Sequence, residues 1–144
     1  MSLNNKPVTL ASSSEKADLD RLMMIWANQF PDLPDDIVLI KYEYFAAKTV
    51  GMALSSVKGA TITKKYICGG YQAEYSFEIH YQISPPGTSD DKRLQAVELL
   101  NKFADWAQTQ RPDIGENRRA IRIEASAFAS YLGATSDQYE DYYV

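Results

Sequence analysis

Apolar and polar residues alternate without a break over Tyr71–Ile83, and this stretch gives the clearest structural prediction in the chain. Every odd position of YQAEYSFEIHYQI is apolar or aromatic, and every even position is polar. A period of two places successive side chains on opposite faces of a β-strand, whereas a helix would distribute the same residues around its circumference. We therefore expect a strand with one buried face and one face exposed to solvent or to a partner.

Two other stretches repeat their apolar residues every three to four positions, as amphipathic helices do. The first helix is predicted over residues 15–29, with Ser13 or Ser14 as its N-cap and Pro31 beyond its end. The second is predicted over residues 91–110 and is closed by Pro112. Because each helix carries one apolar stripe, each is expected to pack on a sheet.

The remaining strands are shorter and less regular. Strands are predicted over residues 37–44, 49–54, 62–67, 118–125 and 138–144, and loops over residues 55–61 and 128–136. Residues 62–67 are expected to pair with Tyr71–Ile83 in a hairpin, because Gly69 and Gly70 between them supply the positive φ angles of tight turns.

The elements follow the order α-β-β-β-β-α-β-β, which predicts the α+β class. We expect a mainly antiparallel or mixed sheet of about five to six strands, with two helices packed on one face. A length of 144 residues suits one domain. We assign this domain to residues 14–144 and interpret residues 1–13 as a disordered N-terminal segment without the apolar core of a signal peptide.

Composition narrows the class of protein. A net charge of −4 argues against a general nucleic-acid binder, which usually carries a strongly basic surface. The lone Cys68 excludes an intramolecular disulfide and a cysteine-based zinc cluster, and it suits a reducing compartment. The longest apolar runs fall far short of the roughly 18 residues of a membrane span. We expect a cytoplasmic protein without a membrane segment.

The sequence contains no recognisable catalytic motif. His80, the only histidine, lies on the polar side of the predicted strand without a nucleophile elbow nearby. The Gly69-Gly70 pair lacks the lysine and hydroxyl residue of a phosphate loop. The acidic pairs at residues 35–36, 90–91 and 140–141 are explained as helix caps or solvated turns. We therefore predict no catalytic, cofactor-binding or metal-binding residues, and no enzyme activity.

Two polar surfaces are candidates for contacts with other molecules. Lys58, Lys64 and Lys65 cluster near one arm of the hairpin, where they would face DNA or an acidic partner, or form a solvated edge that discourages aggregation. The polar face of the hairpin strand is the second surface. Glu74, Glu78 and His80 lie there, and with Tyr142 they are predicted to form a subunit interface. Tyrosines that simply cover the edge of the core are the alternative.

Three stretches of the chain resemble a known class of proteins. They are KKYICGGYQAEYSFEIHYQI, SDDKRLQAVELLNKFADWAQ and NRRAIRIEASAFASYLGATSDQYEDYYV, preceded by the LPDD loop. Together they are similar to the small minor capsid or tail-terminator proteins, which join head and tail in tailed phages and prophages of Gram-positive bacteria. The resemblance covers roughly residues 19–144. Such chains usually continue their last strand further than Val144.

The resemblance implies a structural protein that forms a ring, commonly a hexamer, which caps the tail tube and joins it to the head. Its implied partners are further copies of itself, the tail-tube protein and head-completion proteins. DNA would cross the lumen without sequence-specific binding, past Lys58, Lys64 and Lys65. No cofactor and no membrane are implied. The protein would reside in the host cytoplasm during assembly and then in the virion.

The residues alone leave a second class open. A small α+β ligand-binding or enzymatic domain of unknown substrate would show a deep apolar pocket with converging polar groups, near His80. An adaptor that binds nucleic acid through the lysines is a third interpretation.

Overall fold

The computed structural model describes residues 9–10, 13–34, 37, 39–42, 50–67, 70–84, 90–115, 118–134 and 139–144. Its elements are β1 (Thr9–Leu10), α1 (Ser13–Ala27), β2 (Ile40–Tyr42), β3 (Gly51–Lys65), β4 (Tyr71–Ile83), α2 (Asp90–Gln108), β5 (Ser130–Ala134) and β6 (Glu140–Tyr143). The predicted α+β class and the two helices are confirmed.

The described strands form one sheet in the order β1-β3-β4-β6-β5, with β2 also beside β3. The β2–β3 pair is parallel and the other pairs are antiparallel. β3 and β4 form a long hairpin that starts at the pair Gly51 and Gln82 and ends at the pair Lys65 and Tyr71. The backbone N–H of Tyr66 donates to the carbonyl of Gly70 at 2.8 Å and closes its turn. The predicted hairpin is confirmed, and residues 68–69 lie outside the described part.

Both helices pack on the face of the sheet that carries the odd residues of β4. Trp26 of α1 meets Phe77 edge-on at 5.8 Å and stacks on Trp106 of α2 at 5.1 Å. Apolar residues of β3, β4 and α2 complete this core, among them Met52, Leu54, Ile79, Leu100 and Phe103. Burial of each such side chain contributes about 1.5–3 kcal/mol. This core holds both helices against one face of the sheet.

The loop predicted over residues 55–61 is wrong, because β3 continues through it to Lys65. Serine, glycine and lysine there resemble a turn by composition, yet the segment pairs with the regular strand β4. Register shifts between Val57 and Ala60, and between Ile62 and Lys64, accommodate the irregular residues as bulges. Pairing with a strong neighbouring strand therefore overrides local propensity.

The predictions for the C-terminal part are half right. β6 confirms the last strand, but residues 118–125 form no strand and β5 occupies part of the predicted loop at 128–136. The segment before β5 instead runs beside the helices, where Arg118 donates to the Ile114 carbonyl and Ala129 N–H donates to Asn101 Oδ1. Ile123 packs against the core while Ile121 is 52% exposed, so the apolar residues of this alternating sequence do not share one buried face.

The N-terminal segment was predicted to be disordered over residues 1–13. The structure places Thr9 and Leu10 in β1, opposite Ile62 and Thr61 of β3. These two residues therefore belong to the sheet. Residues 1–8 and 11–12 lie outside the described part.

Candidate assembly surface

The two faces of the sheet differ in what covers them. The antiparallel register places Met52 and Leu54 with Tyr81 and Ile79 on the face that both described helices cover. The opposite face, here called the open face, carries the even residues of β4 and the odd residues of the first half of β3. Along β4 the open face changes from exposed at Glu74 to half-buried at Glu78 and buried at Gln82.

His80 lies on the open face between a carboxylate and an aromatic ring. Its Nε2 is 3.3 Å from Glu78 Oε1, and its ring stacks on Tyr143 of β6 at 5.8 Å. Only 14% of its side chain is exposed. The structure thus brings the predicted Glu78 and His80 together, and it places Tyr143 against the ring of His80.

Tyr142 occupies a different environment from the other residues of the predicted interface. Its position opposite Tyr81 in the β4–β6 pair directs it to the helix-covered face, where it is 3% exposed. Burial, and then the hydrogen bond to Glu140, raise the pKa of Tyr142 to about 12. The side chain of Tyr142 is therefore part of the subunit's own core, and its role at an interface stays a prediction.

A charged pair connects α2 to the edge of this core. Arg93 donates through Nε to Glu140 Oε1 at 3.1 Å and through Nη2 to Glu140 Oε2 at 3.3 Å. Tyr142 donates to the same carboxylate at 2.9 Å. The Arg93 hydrogen bond outweighs burial and lowers the pKa of Glu140 below its ordinary value of 4.5. The partners are 47 residues apart, so no local pattern could have shown this pair.

A second polar cluster centres on Asp20 of α1. Its carboxylate accepts hydrogen bonds from Lys16 Nζ at 2.7 Å, from the Tyr42 hydroxyl at 2.8 Å and from the Tyr75 hydroxyl. Burial alone raises the pKa of Asp20, but the hydrogen bonds from Lys16, Tyr75 and Tyr42 outweigh it and hold that pKa below 3.8. The cluster joins α1 to β2 and β4. Only the Lys16–Asp20 spacing of four residues could have suggested it from the sequence.

The far end of the hairpin, residues 55–73, is here called the hairpin arm. Lys64 and Lys65 are exposed there, Tyr66 is 44% exposed and Ile67 is fully exposed. Lys64 lies opposite Gln72 and Lys65 opposite Tyr71, so the two lysines lie on opposite faces of the arm. Lys64 Nζ is 5.3 Å from the centre of the Tyr66 ring, a cation–π distance.

The arm differs in charge from the rest of the chain. Residues 55–73 contain three lysines and no acidic residue, in a chain of net charge −4, so the remainder carries −7. The third lysine, Lys58, lies in β3, but its side chain is outside the described part. Two of the predicted lysines, Lys64 and Lys65, therefore lie on a stretch without acidic residues in an otherwise acidic chain.

Two open depressions lie against α2. One of about 390 Å³ is lined by Asp90, Arg93, Leu94, Val97 and Tyr142. The other, of about 300 Å³, lies between α2 and the segment that contains Ala125 and Phe128. Neither includes His80. Among the described residues, no group of three or more His, Cys, Asp or Glu side chains could hold a metal ion.

No protein-family model, no curated protein and no solved structure matches the chain. None of the helices in the described ranges is long and apolar enough to cross a membrane.

Proposed function

We propose that the chain is a structural, non-enzymatic subunit of a phage or prophage particle, of tail-terminator or minor capsid type. Several copies form a ring that caps the tail tube and joins it to the head. The hairpin arm is the observation that carries this proposal. It exposes lysines on both faces and a fully exposed Ile67 at its end. Beyond Ile62, where β1 also pairs with β3, the described arm is a two-stranded ribbon, and such a ribbon gains stability when it packs against a neighbour.

A ring requires that one surface of a subunit contacts a different surface of the next. The arm and the acidic body supply two such surfaces, since an arm with three lysines is attracted by a remainder of charge −7. Glu74, Glu78 and His80 on the open face are the proposed receiving surface. Glu74 is exposed, whereas only 14% of the His80 side chain is accessible to solvent.

The lysines have a second proposed role if the arms point inward. Lys58, Lys64 and Lys65 would then line the lumen and contact phosphates of the passing DNA, without sequence specificity. If the lysines hold the subunits together, reversal of their charge should abolish the ring. If they line the lumen, the ring should persist and retain less DNA.

The proposal is tested by negative-stain electron microscopy of the chain alone and mixed with a phage tail-tube protein. We expect rings, or caps at the ends of tubes whose growth has stopped. Tubes that grow to the same length with and without the chain, and without caps, would contradict the proposal.

A further inference from the structure

The two depressions against α2 lie along the same side of that helix. Six of the α2 residues that line them recur at alternating steps of four and three. Steps of four and three are the spacing with which one helix packs along another in a coiled coil. This stripe is here called the α2 seam, and it consists of Asp90, Leu94, Val97, Asn101, Ala104 and Gln108.

The α2 seam is distinct from the face of α2 that packs on the sheet. The buried residues of this helix are Ala96, Leu100, Phe103 and Ala107, and none of them belongs to the seam. In the seam, Leu94 is 57% exposed, and Val97 and Ala104 are half-buried. Because an open depression lies over each half of the seam, α2 keeps an apolar surface that a partner can cover.

The segment that leads into β5 and β6 forms the opposite side of this groove. Phe128 is 83% exposed and Tyr131 is 53% exposed. The ring of Tyr131 meets that of Tyr142 edge-on at 5.4 Å, and Tyr142 lines the first depression. Between the two depressions, the N–H of Ala129 donates to Asn101 Oδ1 at 2.8 Å and holds the segment against α2. The groove therefore has an aromatic side that faces the helix.

A row of acidic side chains follows the α2 seam on its outer side. The row consists of Asp91, Glu98 and Asp105, which are exposed and lie seven residues apart. On a helix this spacing is about 10.5 Å. Within the part of the chain that the structure describes, none of the three forms an ion pair. The nearby Lys102 pairs instead with Asp32 at 3.6 Å. The row is therefore a set of uncompensated charges beside an apolar groove.

We propose that the α2 seam is a docking site for a basic amphipathic helix of a partner protein. Apolar side chains of that helix fill the two depressions, and its lysines or arginines pair with Asp91, Glu98 and Asp105. In a coiled coil, the residues that directly flank the seam make such charge pairs and select the partner. A spacing of seven residues on α2 is matched by the same spacing on a helix that lies along it.

Charge also separates this occupant from others. The α2 helix of a second copy, packed antiparallel, would set the acidic row against itself. Nucleic acid and anionic membranes carry the same sign as the row. The hairpin arm of a second copy is basic, but Lys64 and Lys65 lie on opposite faces of a ribbon and do not repeat along one side. A basic helix fits the row in both charge and spacing.

This docking site goes beyond the proposed ring. The ring uses the hairpin arm and the open face, so the α2 seam stays available to a different protein. Helix α2 has 19 residues and is about 28 Å long. A single helix along it covers less than the roughly 800 Å² per partner of a standard interface. We therefore expect a dissociation constant of about 10–100 μM.

Two designed peptides test the proposal on the full chain. Each is a helix of about 20 residues, long enough to span α2, with leucine at the positions that face the seam. One peptide carries lysine at the flanking positions, and the other carries glutamate there. Nuclear magnetic resonance of the isotope-labelled chain measures binding. We expect the lysine peptide to shift amide signals of α2 and of residues 125–131, with binding weakened by salt, and the glutamate peptide to shift none.

The variants separate charge from apolar contact. Glu98→Lys combined with Asp105→Lys should weaken binding of the lysine peptide about tenfold or more. It should also create binding of the glutamate peptide, which shows that the variant is folded. Leu94→Ala should weaken binding of the lysine peptide to the wild-type charge pattern. Ile25→Ala is its matched control, since Ile25 is 61% exposed on α1 and should not affect binding.

Four outcomes would overturn the proposal. They are no binding of the lysine peptide at millimolar concentration, equal binding of both peptides, unchanged binding after the double charge reversal, and signal shifts confined to the open face or the hairpin arm. Shifts in α2 that grow with the concentration of the chain alone would assign the seam to a second copy and also overturn it. Rings that persist in the double variant would leave the proposed function intact.

Discussion

The hydroxyl of Tyr75 in β4 donates a hydrogen bond to the carboxylate of Asp20 in α1, which lies 55 residues earlier in the chain. Tyr42 of β2 donates to the same carboxylate. One side chain of the first helix thereby fixes the position of that helix over two strands. The open face and the hairpin arm belong to the sheet on which these contacts hold α1.

Replacement of Asp20 by Asn should lower the free energy of unfolding by about 1–3 kcal/mol, because the amide cannot accept all the hydrogen bonds of the carboxylate. Urea denaturation at pH 7 measures the loss. Asp18→Asn is the control, since the Asp18 side chain is 57% exposed and its arginine contacts are 3.7 and 3.8 Å long. Equal effects of the two substitutions would contradict a special role for Asp20.

The same carboxylate should make the fold sensitive to acid. The pKa of Asp20 is below its ordinary 3.8, and that of Glu140 is below its ordinary 4.5. Both groups therefore contribute stability that is present above these ordinary values and is lost as the pH falls through the lower, folded-state values. Denaturation curves between pH 7 and pH 2 should show this loss, and D20N should flatten it. An unchanged slope in D20N would contradict the assignment.

Alkaline pH should destabilise the fold through the buried tyrosines. The pKa of Tyr142 is raised from 10.0 to about 12, so the unfolded chain ionises first. Stability is fully present below pH 10 and should fall as the pH rises toward 12. Y142F should reduce this fall, whereas Y131F, at a site 53% exposed, should not. Equilibrium unfolding at pH 8 and pH 11 measures the difference.

The side chain of Asn28 hydrogen-bonds both backbone groups of Ile40 in β2, and its removal should lower both stability and solubility. Asn28→Ala leaves the N–H and the carbonyl of Ile40 without their side-chain partners, at a cost of about 1–3 kcal/mol. It also opens the β2 edge to strand pairing. We expect a lower midpoint of urea unfolding and more light scattering on heating. Gln29→Ala, at an exposed neighbouring position, is the control. If N28A behaves like Q29A, the side chain of Asn28 does not protect this edge of the sheet.

The lysines of the hairpin arm should be needed for assembly. In the double variant K64E with K65E, the arm becomes acidic, so its attraction to a body of charge −7 is lost. We expect a folded monomer that forms no rings by electron microscopy. K92E with K102E on α2 changes the net charge equally and should leave assembly intact, whereas variants that still form rings but retain less DNA would assign the lysines to the lumen.

The strict alternation of β4 predicted the hairpin and the helix-covered face, because period two has no other regular explanation. The middle of β3, residues 55–61, could not be predicted as a strand, since its pairing depends on β4 and not on its own composition. Tyr142 shows the same limit. Its pairing with Tyr81 determines the face of the sheet on which Tyr142 lies. The register of a short strand depends on its neighbouring strand, so the sequence of β6 alone does not show this face. The Asp20 and Glu140 clusters join residues distant in sequence, so they required the fold.

Native mass spectrometry of the chain, alone and with the tail-tube protein, tests the central claim most directly. The ring predicts a discrete closed species, six times the 16.2 kDa subunit mass for the commonest stoichiometry, in at least one of the two conditions. It also predicts that K64E with K65E abolishes that species. A chain that stays smaller than a trimer in both conditions would contradict a ring-forming subunit.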